Sequence, residues 1–74
     1  MELVEIPIEK YVRLVKGNDV VVIVLWRDNY LSVCRFNGSE KSSCYTTNRA
    51  NKANKRLFYI AESFYTDLGF KRVE

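Results

Sequence analysis

The basic residues of this chain gather in one stretch, where they could bind anionic groups. Residues 41–61 hold five basic residues and no acid, a charge of +5, and the rest of the chain holds 7 basic and 9 acidic residues. The candidate site consists of Lys41, Arg49, Lys52, Lys55, Arg56 and Tyr59. Lysine and arginine bind phosphates and carboxylates, and an exposed tyrosine can stack on a base. The stretch therefore predicts a surface for nucleic acid or for an acidic protein.

A second basic and aromatic set consists of Trp26, Arg27, Tyr30 and Arg35. Tryptophan beside arginine is a frequent anchor at protein interfaces and a stacking platform for bases. We expect a second binding patch if Trp26 and Arg35 lie on an uncovered sheet face. The alternative is that Trp26 belongs to the core.

Catalytic chemistry has little support in the composition. The 74 residues include no His, two Cys and three Gly. His is the commonest general base and metal ligand, and two Cys alone cannot close a structural zinc site. The acids are scattered, and no glycine-rich phosphate loop is present. We therefore expect one domain over residues 1–74 that is not an enzyme and needs no metal or cofactor.

The first element is predicted to be a short helix. Pro7 suits the first helical position, and Ile8, Tyr11, Val12 and Val15 follow helical spacing. Gly17 would then end this helix. The alternative is a strand over residues 3–8, which gives four strands and one helix, and Val12-Arg13-Leu14-Val15 also suits a strand.

Three antiparallel strands are predicted next. Residues 19–26 are mostly β-branched, and a two-residue turn at Asp28-Asn29 leads into residues 30–36. In this register Leu31 and Val33 share a face with Val20, Val22, Val24 and Trp26. Cys34 and Phe36 share the other face with Val21, Ile23 and Leu25. Both faces are apolar, which predicts a sheet covered on both sides or a face that meets a partner.

The third strand, residues 40–46, is polar and is expected at a sheet edge. Cys34 lies opposite Cys44 if the connecting loop has five residues centred on Ser39, and does not if Asn37-Gly38 forms a two-residue loop. The longest apolar run, residues 20–26, is too short to span a bilayer, and the acidic start of the chain is unlike a signal peptide. We therefore expect a cytoplasmic protein with free thiols and no membrane partner.

A long helix is predicted over residues 48–68, with its N-cap at Thr46, Thr47 or Asn48 and Gly69 just after its end. The predicted buried stripe consists of Ala50, Ala53, Leu57, Ile60, Ala61, Phe64 and Leu68. The basic residues of the helix lie opposite this stripe. The fold class is then α+β, with a three-stranded antiparallel sheet, a short N-terminal helix and a long C-terminal helix.

The residues that enter this helix, Thr46-Thr47-Asn48-Arg49-Ala50-Asn51-Lys52, resemble the double-stranded-RNA-binding domain. In that family the second helix begins at a Lys-Lys-x-Ala-Lys motif after a third strand. Arg49 and Lys52 match the second and last basic positions of the motif, and Asn48 and Asn51 stand where the motif has Lys and Ala. The resemblance implies the order α-β-β-β-α and phosphate contacts for Arg49 and Lys52 across the major groove.

Two functions follow as hypotheses. The first is a small nucleic-acid-binding module that uses the basic face at the start of the last helix. The alternative is a small inhibitor or regulator, of the kind made by phages and mobile elements, that blocks a protein partner such as a nucleic-acid-processing complex. A homodimer through an apolar sheet face is a further expectation.

Overall fold

In the computed structural model, which describes residues 7–38, 43–47 and 49–73, the chain folds into a five-stranded antiparallel sheet with one helix across one face. The elements are β1 (Ile8–Lys16), β2 (Asp19–Trp26), β3 (Leu31–Asn37), β4 (Ser43–Thr46), α1 (Asn54–Asp67) and β5 (Lys71–Val73). The strand order is β4-β3-β2-β1-β5. We call the sheet face under α1 the covered face and the other the open face. The predicted α+β class is confirmed, but the predicted architecture of three strands and two helices is wrong. The alternative of four strands and one helix is nearer to the observed fold.

The first element is a strand, so the predicted N-terminal helix is wrong. Val12 and Leu14 are buried while Tyr11 and Arg13 are exposed, which is the two-residue period of a strand. Lys16 pairs with Asp19 across a two-residue turn. Gly17 has a φ of 59° as the first central residue of that turn, a position that favours glycine. Gly17, which the helix prediction places at a helix end, therefore lies in a hairpin turn.

The β2–β3 turn contains three residues, not two, and this corrects the predicted faces. Trp26 N–H donates to Tyr30 O at 2.9 Å, and Asn29 has a φ of 70°. A left-handed third residue is typical of three-residue hairpin loops. Leu25 consequently pairs with Leu31, and Ile23 pairs with Val33. One extra loop residue moves every β3 side chain to the opposite face from the predicted one.

The covered face therefore carries Val21, Ile23 and Leu25 with Leu31 and Val33, and the open face carries Val20, Val22, Val24 and Trp26 with Cys34 and Phe36. The buried hydrophobic residues are Val12, Leu14, Val21, Ile23, Leu25, Leu31, Phe58 and Phe70. The core thus lies between the covered face and α1.

Strand β4 pairs with β3 at the sheet edge, as expected for a polar strand, and all four of its residues are exposed. Cys34 lies opposite Cys44, the register expected for the five-residue loop. The two residues form a disulfide, so the prediction of free thiols is wrong. Residues 40–42 of the predicted strand lie outside the described residues.

Helix α1 begins at Asn54, six residues later than residue 48. The Asn54 side chain is buried, and its Nδ2 donates to Asn29 O at 2.6 Å, to Arg49 O at 3.2 Å and to Thr47 Oγ1 at 3.3 Å. These bonds hold the preceding residues as a loop against the β2–β3 turn. The N-cap is Ala53, which replaces the predicted Thr46, Thr47 or Asn48, and Asn48 lies outside the described residues.

The predicted buried stripe of the helix is also wrong. Asn54 and Phe58 are buried, and Ala61 and Tyr65 pack against the core. The stripe that was expected inside is largely exposed, including Ala50, Ala53, Leu57, Ile60, Phe64 and Leu68. The helix has two adjacent apolar stripes, and the sheet takes the one that begins at the anchored Asn54.

Gly69 follows the helix end, as predicted, with a φ of 102°. Its N–H donates to Thr66 O at 3.0 Å, and Phe70 N–H donates to Tyr65 O at 3.0 Å, which is a Schellman motif. The Phe70 ring packs against the Tyr65 ring, with 5.4 Å between their centroids. This turn directs the chain into β5, an unpredicted strand that pairs with β1.

Candidate partner-binding surface

Arg27 of the second predicted set lies near the first predicted set at one end of the molecule. Asn51 N–H donates to Asn29 O at 3.3 Å, so the loop that carries Arg49 and Lys52 lies beside the turn that carries Arg27. All three basic residues are exposed. Arg49 and Lys52 therefore precede the helix and do not lie on its face, although they remain near its N-terminal end.

Tyr59 lies among three cations, one of which the sequence pattern did not predict. Lys10 Nζ donates a hydrogen bond to Tyr59 OH and lies 4.6 Å from the ring centroid. Lys55 and Arg56 precede Tyr59 by one helical turn. Lys10 alternates with buried Val12 and Leu14 on β1, so a strand assignment for this segment would have placed it on the covered face. We define the cationic end as Lys10, Arg27, Arg49, Lys52, Lys55 and Arg56; Lys41 lies outside the described residues.

The start of α1 lacks a negative group of its own. Ala53 supplies no side-chain cap, and the first turn contains no acid. Lys55 and Arg56 instead occupy this turn, where the partial positive charge of the helix end disfavours cations. An anionic partner at this end would relieve the repulsion among these charges.

An apolar groove runs between α1 and the β3–β4 edge. It encloses about 480 Å³. The groove is lined by Leu57, Ile60, Ala61, Phe64 and Tyr65 from the helix and by Leu31, Val33, Tyr45 and Thr47 from the sheet. We call it the helix groove. Tyr45 is 67% exposed at its outer wall, and so the groove opens to solvent.

The helix groove adjoins the cationic end. A second concavity on the solvent side of α1 is lined by Lys55, Arg56, Tyr59, Ile60, Ser63, Phe64 and Asp67. Ile60 and Phe64 line both concavities, so apolar and cationic side chains form one continuous surface along the helix. Asp67 lies at the other end of this surface, so the surface is cationic at one end and anionic at the other.

The second predicted patch does not assemble as a unit. Trp26 lies half-buried on the open face, where its Nε1 donates to Ser32 Oγ at 3.0 Å. Arg35 lies on the covered face, where its Nη2 is 3.7 Å from Asp19 Oδ2. Tyr30 N–H donates to Asp28 Oδ1 at 3.2 Å within the turn. Only Arg27 of this set joins the cationic end.

No family model, curated protein or solved structure matches the chain. The resemblance to the double-stranded-RNA-binding domain stays a prediction, although the first element here is a strand. Among the described residues, no helix combines the length and the apolar character that a membrane crossing requires.

Proposed function

We propose that the chain is a small non-enzymatic protein-binding module, a regulator or inhibitor that docks through the helix groove and the cationic end. The observation that carries this proposal is the apolar stripe that α1 turns to solvent. Its members are exposed by 41% at Leu57, 54% at Ile60, 58% at Phe64 and 48% at Leu68. Contiguous exposed apolar surface on small proteins is typical of interaction sites.

The energetics favour a protein partner over nucleic acid for this stripe. Full burial of a large apolar side chain contributes about 1.5–3 kcal/mol, so covering a half-exposed one contributes about 1 kcal/mol. A protein partner gains this energy because its own apolar side chains can enter the helix groove. A phosphate backbone would neutralise the cations and leave Ile60 and Phe64 in water.

The charges specify the chemistry of that partner. Lys55 and Arg56 lie at the N-terminal end of the shared surface, and Asp67 lies at its other end. A complementary partner therefore presents apolar side chains with carboxylates at one end, over the first turn of α1, and no carboxylate against Asp67 at the other end. This is an acidic, amphipathic protein surface.

Site-specific photo-crosslinking tests the proposal. Benzoylphenylalanine in place of Phe64 is expected to give one discrete adduct in a lysate of the organism that encodes the chain. Excess wild-type protein should compete for this adduct, and I60E protein should not, because a carboxylate would enter the groove. Y11E is the matched control, since Tyr11 is an exposed apolar residue on the open face.

The proposal predicts that Y11E competes as well as the wild type and that R56E competes less well. If I60E competes as well as the wild type, the adduct does not arise from docking in the helix groove. The absence of any adduct larger than the 8.7 kDa chain would also refute it.

Nucleic-acid binding is the second candidate function, and the cationic end favours it. Arg49, Lys52, Lys55 and Arg56 are all exposed, and no acid occurs among the described residues from 43 to 61. Such a surface can follow a phosphate backbone.

Fluorescence anisotropy of labelled duplex RNA, duplex DNA and single strands tests this second candidate. Four phosphate contacts predict a roughly 100-fold loss of affinity between about 50 and about 200 mM salt. Replacing the four cations by Glu should abolish binding. R13E with K71E, on the open face, is the control that should leave binding intact. Unchanged affinity after reversal of the cationic end would exclude this function.

We also propose that this module is located in the cytoplasm. In a reducing cytoplasm the Cys34–Cys44 disulfide would open. Alkylation of intact cells tests the location, because cytoplasmic protein should be labelled on both cysteines. Protein that resists labelling until a reductant is added would come from an oxidising compartment.

A further inference from the structure

The open face is a second apolar surface, separate from the helix groove. Val20, Val22 and Val24 occupy its centre, and Tyr11, Trp26 and Phe36 surround them. All five described strands belong to this one sheet and α1, the one described helix, packs on the opposite face, so no other described helix or strand covers the valines. Tyr11 is 64% exposed.

Hydrogen bonds within the sheet give the indole N–H of Trp26 a partner, which favours burial of this face against another protein surface without water. Trp26 Nε1 donates to Ser32 Oγ, and Ser32 Oγ lies 3.0 Å from Thr46 Oγ1. The indole N–H therefore has its partner within the sheet, and one of the two hydroxyls donates to the other. A tryptophan whose N–H already has a partner can lose its contact with solvent at little polar cost.

The size of the face fits an interface between two copies of the chain. The five strands contain nine, eight, seven, four and three residues, and at about 3.3 Å per residue and about 4.8 Å between strands the sheet covers about 490 Å². Each copy would contribute about 490 Å², or about 1,000 Å² in total, which is the lower limit for a biological interface and is typical of a weak dimer.

The charges on the face also fit such a pair. Arg13 and Lys71 lie on the open face toward the β5 edge. A two-fold axis along β2, the central strand, would place β1 of one copy over β3 of the other. Arg13, beside Val22, would then lie on opposite sides of the axis in the two copies, and the Lys71 side chains would lie at opposite margins, so the cations of the two copies would not repel one another strongly.

We propose that the chain forms a homodimer in which two open faces pack as a sandwich of sheets around a two-fold axis along β2. Aligned sheets pack about 10 Å apart, with their side chains interdigitated. Both helices then lie on the outside, so the dimer presents two copies of the helix groove. This proposal does not depend on the function of that groove.

Sedimentation and fluorescence of the full chain test the dimer. Between about 1 µM and about 1 mM, a range chosen for a small interface, the mass should rise from 8.7 kDa toward twice that value. Trp26 is the only tryptophan, so its emission should shift to the blue and its quenching by acrylamide should fall over the same range.

Two variants and one control identify the face. V22K places a charge at the centre of the interface and should leave a monomer. Y11K alters an exposed side chain, so folding is unaffected, and it should weaken the dimer at least tenfold. I60K, in the helix groove, should leave the dimer intact. A wild-type mass of 8.7 kDa at the highest concentration, or a dimer that I60K disrupts and Y11K does not, would overturn the proposal.

Discussion

Two phenylalanines on α1 provide a direct test of how the helix is rotated against the sheet. Phe58 is 2% exposed and contacts the core, whereas Phe64 is 58% exposed at the rim of the helix groove. Helical spacing alone puts Phe64 inside and Phe58 at the margin of the buried stripe. The structure reverses the two, so the same substitution at each position distinguishes the alternatives.

The expected costs differ severalfold. F58A removes a fully buried ring and should lower the free energy of unfolding by about 3–5 kcal/mol. F64A removes a ring that buries less than half of its surface, which should cost about 1 kcal/mol or less. A domain of this length has a total stability of about 4–11 kcal/mol, so F58A should be marginally folded and F64A should be close to the wild type.

Urea unfolding followed by circular dichroism measures both costs at one fixed protein concentration. F58L is a useful intermediate, since an apolar residue of similar volume should cost less than about 1.5 kcal/mol. Equal costs for F58A and F64A, or a larger cost for F64A, would show that the helix docks through the Leu57–Phe64 stripe. That result would also remove the basis for the helix groove.

Three further predictions concern stability. G69A should lower it by about 1–2 kcal/mol because the residue has a positive φ of 102°, and an unchanged melting temperature would contradict this. Replacing both Cys34 and Cys44 by Ser should lower the urea midpoint by the equivalent of about 2–3 kcal/mol, as expected for a short closed loop; reductant should shift the wild type similarly and leave the double variant unchanged. N54D should destabilise more than N54A, since a buried carboxylate would face carbonyl oxygens that the amide now satisfies; equal melting temperatures would show that these hydrogen bonds contribute little.

A strand could be predicted from the sequence where its residue types favour no other secondary structure. The bounds of β2 match residues 19–26, because an unbroken β-branched run favours only one structure. Gly69 was likewise recognisable, since a helix that ends in a left-handed residue favours glycine. Residues 8–16 fit both helical and strand spacing, and only their pairing with β2 selects the strand. Local sequence does not contain that information.

The candidate site was less predictable, for two physical reasons. Helix α1 has two apolar stripes, and the choice between them depends on the hydrogen bonds that Asn54 makes to a distant turn. The β2–β3 register depends on whether that turn has two or three residues, which Asp-Asn permits equally. The cations of residues 49–56 were identified from sequence, whereas Lys10 joins them only through the fold.

Strand β5 also bears on how the protein resists aggregation. Its three residues pair with Arg13, Leu14 and Val15, and so occupy one end of the free edge of the nine-residue strand β1. A long exposed strand edge is a template on which another chain can add, and a short, exposed, basic strand such as Lys71–Val73 is a poor template. Chains cut after the helix would expose the whole β1 edge. Among the described strands, the segment after Gly69 thus shortens the β1 edge on which another chain could add.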